Sequence, residues 1–194
     1  MTANAISSAI RNLSGADESA RVAAAAEIYR QGRSPAARAV FDWWKDAELS
    51  KLLLSPKPIV TVGVAVGRET FAKIRAANGQ PGLAIVPQEQ DAEEFELHFA
   101  DGVELDVLTG REPGGQGAIA RFLAKFGEGV QQVEFRCLNV DRAMAIVHER
   151  FGVTPIYPEA RPGANDSKVN FVLVPVPGAA GKNARVLIEL YEFP

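Results

Sequence analysis

A chain of 194 residues, 47% apolar and 23% charged, can bury one or two ordinary cores, which excludes a fibrous or disordered class. Its net charge of −3 and scattered basic residues leave no electrostatic footprint for a phosphate backbone, so no nucleic-acid partner is expected. A lone cysteine, Cys137, excludes an internal disulfide and a cysteine-rich zinc site. Its place in an apolar strand predicts a buried thiol in a reducing, cytoplasmic setting. The N-terminal MTANAISSAIRNL lacks a long apolar core, and no stretch reaches the roughly 20 apolar residues needed to span a bilayer, so no membrane association is expected.

Residues 1–57 predict an alanine-rich helical extension. Val22, Ala25, Ile28 and Tyr29 recur at helical spacing, with Gly32 as the stop. Ser34-Pro35 then predicts the start of a second helix, with Val40, Phe41 and Trp44 on one face up to Ser55-Pro56. The Trp43-Trp44 pair fits either a docking or dimer contact, or packing on its own domain.

From Ile59 the period changes to two. In IVTVGVAV, Val60, Val62, Val64 and Val66 share one face, and Thr61, Gly63 and Ala65 the other. A helix through Phe71 and Ile74 leads to Gly79, and GLAIV, EFELHF and VELDVL predict three further strands. After REPGGQG and a short helix at Ala118–Phe126 the order restarts. VQQVEFRC predicts a strand, and Val140, Ala143, Met144, Val147 and Phe151 a helical stripe closed by Gly152. Strands follow at Pro155–Tyr157, KVNFVLV and RVLIELYEF.

This is an internal duplication, pairing IVTVGVAV with VQQVEFRC and GVELDVLTG with RVLIELYEF. The fold expected is α+β: two tandem βαβββ modules, residues 58–127 and 128–194, forming a cupped mixed sheet behind the extension. The face away from the crossing helices collects Thr61, Glu96, His98, Glu104, Asp106, Gln132, Glu134, Arg136, Asn170, Glu189 and Tyr191. Alternation alone fits a solvated outer face as well as a site. His148, flanked by Glu149 and Arg150, reads as a surface residue.

The segments GEGVQQVEFRCLNVDRAM, EARPGANDSKVNFV and RVLIELYEFP, in this order, resemble methylmalonyl-CoA epimerases of the vicinal oxygen chelate (glyoxalase/bleomycin-resistance) superfamily. IVTVGVAV and IARFLAKF add a weaker match in the first module, and the extension lies outside the resemblance. The resemblance implies a small-molecule ligand, with an acyl-CoA as one candidate, and a homodimer as one candidate assembly. It places a divalent metal on Thr61, Asp106, Gln132 and Glu189. Thr61 and Gln132 stand where the family has histidines, so the implied centre is altered or lost, and an all-oxygen set would suit only a hard cation.

EFELHFAD is similar to the strand carrying a catalytic glutamate in these epimerases, which implies Glu96 and Glu189 as the two bases of a proton transfer next to a thioester carbonyl. His98, Glu134, Arg136, Asn170 and Tyr191 would line the substrate pocket, and Lys168, Lys182 and Arg185 are candidates for phosphate contacts. LVPVPGAAGKNARV departs from the shorter family turn, which bears on coenzyme A recognition. Three functions follow: a binding protein without metal chemistry, an epimerase-like isomerase or lyase, and an interaction module built on the extension.

Overall fold

Apolar residues of the extension recur at helical intervals, and in the computed structural model, which describes residues 3–112, 114–178 and 184–194, they form α1 (Ala3–Leu13) and α2 (Glu18–Ala39). Helix α2 runs through both Gly32 and Pro35, where the sequence predicts a break. Gly32 is instead a point of close approach: a Cβ there would lie 2.5 Å from Cγ1 of Val62 and 3.2 Å from Cγ1 of Val130. Tertiary contact sustains a helix that its own punctuation would end. Beyond it, a 3₁₀ turn (Trp43–Lys45) resets the helical phase, so that Val40 and Trp43 are buried, whereas Phe41, predicted to share a face with Val40 and Trp44, is 61% exposed. Helix α3 (Ala47–Leu52) is capped by Asp46, whose carboxylate accepts from the backbone N–H groups of Glu48 and Leu49.

The chain divides into two compact units. The first combines the N-terminal residues up to Gly32 with Thr61–Gln131, and the second combines Arg33–Val60 with Gln132–Pro194.

In the first unit, β1 (Val60–Ala65) leads into α4 (Arg68–Ala77), β2 (Ala92–Phe99), β3 (Val103–Gly110) and α5 (Ala118–Phe126). Strand β3 is central, parallel to β1 and antiparallel to β2, so β1, α4 and β3 make a crossover unit with a hairpin strand at its edge. Phe71 and Ile74 of α4 pack against the sheet, where Phe71 meets Phe95 edge to face at 4.7 Å. The predicted strand GLAIV does not form. Prolines 81 and 87 bracket it, one backbone bond joins Ala84 to Glu94, and Ile85 is 78% exposed.

The second unit repeats the plan. Strand β4 (Gly129–Arg136, from Gln132 in this unit) leads to α6 (Val140–Phe151), β5 (Arg161–Pro162), β6 (Lys168–Pro175) and β7 (Arg185–Glu192). Strand β7 is parallel to β4 and antiparallel to β6, and β5 pairs with β6. Val140, Ala143, Met144 and Val147 are buried, and Gly152, at φ 67°, closes α6 as its sequence predicts. The segment read as a strand at Pro155–Tyr157 is reduced to a bridge between Pro155 and Val172. Cys137 is buried, and desolvation pushes its thiol up to about 12, as befits an inert core residue. The residues after α2 are integral here. Trp43 packs on Phe151, Trp44 on Phe135, and Arg150 bridges Asp46 and Glu48 while Arg142 bonds Glu48.

Candidate functional site

The duplication extends to individual residues. In the first unit Gly63 pairs with Asp106 and Asp106 with Glu96. In the second, Glu134 pairs with Glu189 and Glu189 with Phe171. Superposing the two registers makes Thr61 the counterpart of Gln132, Asp106 of Glu189, and Ala65 of Arg136. Paired residues share a face, so each unit has one partly polar sheet face opposite its crossing helix, called its open face below.

On the first unit's open face, Thr61 and Asp106 are both buried, and the Thr61 hydroxyl donates a long bond, 3.4 Å, to Glu104. Glu96 stands opposite Asp106 and His98 opposite Glu104, and Nε2 of His98 lies 3.0 Å from Oε2 of Glu96. One residue on this face escapes the sequence reading. Glu94, two positions before Glu96, is half-buried, and desolvation together with the charge of Glu96 pushes its carboxyl up to about 7. Period-two counting from Glu96 was the signal that could have found it.

On the second unit's open face, Gln132 is the organising group. It is buried, and Nε2 donates to Oε2 of Glu189 at 2.5 Å and to Oε1 of Glu134 at 3.1 Å. Arg136 and Tyr191 sit in register one row further along, Arg136 over the Phe193 ring at 5.5 Å. Asn170 does not join them. Its register partner is Leu190, on the helix-facing side, and at 2% exposure it accepts from the Tyr157 N–H and donates to the Tyr157 carbonyl. It is a clamp on the 155–157 segment. Expected as exposed, His148 is so, on the outer side of α6. Lys168 is paired with Asp141, Arg185 is exposed, and Lys182 lies outside the described residues.

The residues in the family's metal positions do not fit a transition metal as they are arranged. A ligand must offer a lone pair, yet Gln132 turns its N–H donors toward Glu189, which would be its co-ligand, and toward Glu134. Thr61 points its hydroxyl at Glu104, and among the described residues no group of three or more His, Cys, Asp or Glu side chains is placed to hold an ion. No described helix is long and apolar enough to cross a membrane.

This architecture, with its βαβ crossovers, edge hairpins and N-terminal helices, is the α+β vicinal oxygen chelate fold. No protein-family model and no curated protein matches the sequence. Solved structures do. A methylmalonyl-CoA epimerase from Mycobacterium tuberculosis is 28% identical, with a TM-score of 0.53 over 69% of this chain and 86% of that one. A variant of the Streptomyces coelicolor methylmalonyl-CoA epimerase, in complex with 2-nitronate-propionyl-CoA, is 25% identical, with a TM-score of 0.53 over 70% and 96%. A methylmalonyl-CoA epimerase holding methylmalonyl-CoA and ammonium is 26% identical, with a TM-score of 0.52 over 70% and 93%.

Proposed function

We propose that the protein is a divergent vicinal-oxygen-chelate protein that binds a small molecule on its open sheet faces and whose metal centre is altered. One observation supports this reading above the others: Gln132 bridges Glu134 and Glu189 with its own N–H groups, filling the position where a metal-binding relative needs an acceptor. The bridge gives each of the two neighbouring carboxylates a hydrogen-bond donor.

Metal content of protein purified without chelator, and its thermal stabilisation by zinc, cobalt, manganese, magnesium and calcium, test the altered centre. The expected result is no stoichiometric metal and no shift in Tm. A tightly bound ion lost in both Asp106→Ala and Glu189→Ala overturns the reading.

The Glu94–Glu96 pair supports a second reading, an epimerase-like isomerase or lyase. A carboxyl titrating near neutrality beside an exposed carboxylate suits proton transfer at a carbon next to a carbonyl, with Glu96 as a base. The solved relatives carry methylmalonyl-CoA or its nitronate analogue, so an acyl-CoA is the substrate class to try. Incorporation of solvent deuterium at C2 of methylmalonyl-CoA, abolished by Glu96→Gln, is the outcome this reading requires. Absence of exchange at high enzyme concentration leaves binding as the function.

A further inference from the structure

The register orders the second unit's open face into rows. Arg136, Tyr191, Val169 and Arg161 form one continuous row across β4, β7, β6 and β5. The next row holds Glu134, Glu189 and Phe171, and beyond it Leu187 stands opposite Leu173. Successive rows on one face are about 7 Å apart along the strands.

The first row carries unsatisfied cationic character. The Arg161 guanidinium lies 4.5 Å from the centre of the Tyr157 ring, which in turn meets Phe171 edge-on at 6.1 Å. Stacking occupies the flat face of a guanidinium and leaves its N–H edge for a planar acceptor. Among the described residues neither Arg161 nor Arg136 has an ion pair, whereas Arg142 and Arg150 of the same unit are taken up by Asp46 and Glu48. In the second row Gln132 donates to both carboxylates. In the third row β6 and β7 present leucines, and Leu173 leaves 44% of its surface exposed.

We propose that this face binds a small hydrophobic monocarboxylate, its carboxylate on the N–H edge of Arg161 and its chain over Phe171, Leu173 and Leu187. The guanidinium edge would pair with either a carboxylate or a phosphate, and it is the hydrophobic side chains of Phe171, Leu173 and Leu187 beyond it that favour an anion carrying a hydrocarbon chain. The nearest alternative for a phosphate, the N-terminus of α6, is already filled by Asn139 and Glu192, which accept from the N–H groups of Arg142 and Val140. Charge also orients the ligand. The anionic end sits a row away from Glu134 and Glu189, and the uncharged chain crosses them toward the leucines.

This inference rests on the reading of the protein as a small-molecule binder and names the ligand class. Isothermal titration of the full chain with octanoate, 1-octanol, inorganic phosphate and acetyl-CoA tests both together. Octanoate should bind at least tenfold more tightly than octanol, and Arg161→Gln should remove that advantage while leaving octanol binding and Tm unchanged, whereas Arg38→Gln on helix α2 should leave all three as in the parent. Equal affinity for octanoate and octanol overturns the role of Arg161, and phosphate binding as tight as octanoate overturns the carboxylate. If acetyl-CoA binds and octanoate does not, the ligand class fails and the binding reading stands. Silence toward all four overturns both.

Discussion

The column of three alternate residues on β2 and its counterpart on β6 occupy equivalent positions in two copies of one frame, and they differ completely. In the first unit Glu94, Glu96 and His98 face Leu108, Asp106 and Glu104. In the second, Val169, Phe171 and Leu173 face Tyr191, Glu189 and Leu187. The backbone specifies six places on a face and leaves their chemistry free. In this column the first copy presents two carboxyls and an imidazole where the second presents three apolar side chains, so the same pair of strands gives one face an ionisable character and the other a hydrophobic one.

The largest effects come from the points that hold each unit's frame together. Gly32→Val in the first unit drives side-chain atoms into Val62 and should cost about 3 kcal/mol in urea denaturation, the upper part of the overpacking range. Gly163→Ala in the second meets Oγ of Ser167 at 2.4 Å and Cγ1 of Val169 at 2.5 Å; the serine can rotate away, so the loss should be nearer 1–2 kcal/mol. A reversed order would show that α2 is the more adaptable contact.

Opposite responses to pH sharpen the contrast. Glu94 titrates higher in the fold, about 7, than its ordinary 4.5, so the folded state holds that proton more tightly and stability falls as pH rises through this window. Glu94→Gln removes the slope, and its unfolding free energy should exceed the parent's by roughly 3 kcal/mol at pH 8 while matching it at pH 4. In the second unit Asp46 is held below its ordinary value, first by the Leu49 N–H and then by Arg150. Its contribution is present above the unfolded carboxylate range and is lost as pH falls through its depressed folded value. Asp46→Asn should therefore lower Tm across the neutral region, flatten the acid limb of a Tm-versus-pH curve and converge with the parent at low pH.

A smaller test compares the two counterparts directly. Gln132→Leu removes two N–H bonds to carboxylates and should destabilise by about 1–2 kcal/mol, whereas Thr61→Val loses one long bond and should change stability by less than about 0.5 kcal/mol. Equal losses would mean that the Gln132 bridge carries no more weight than its neighbour.

Much of this was legible in the chain. Period-two alternation gave β1, β3, β4, β6 and β7, and the stripe ending at Gly152 gave α6, because burial on one face imposes that spacing wherever it occurs. The pairing of the strand copies was legible for the same reason. Asn170 was not. Its alternation fits either face, and only the register with Leu190 shows that it turns inward to hold Tyr157. GLAIV has strand composition, but a strand also needs a partner along its whole length, and here the partner offers one bond.

The sequence by itself determined the duplicated α+β frame and most of the residues on its open faces, since hydrophobic period and turn residues act locally. Only the tertiary structure decided that α2 continues through Gly32 and Pro35, that Glu94 is a proton-holding carboxyl, and that Gln132 faces its neighbours as a donor. Each of these depends on which distant atoms desolvate or contact the residue, and that is a property of packing rather than of spacing.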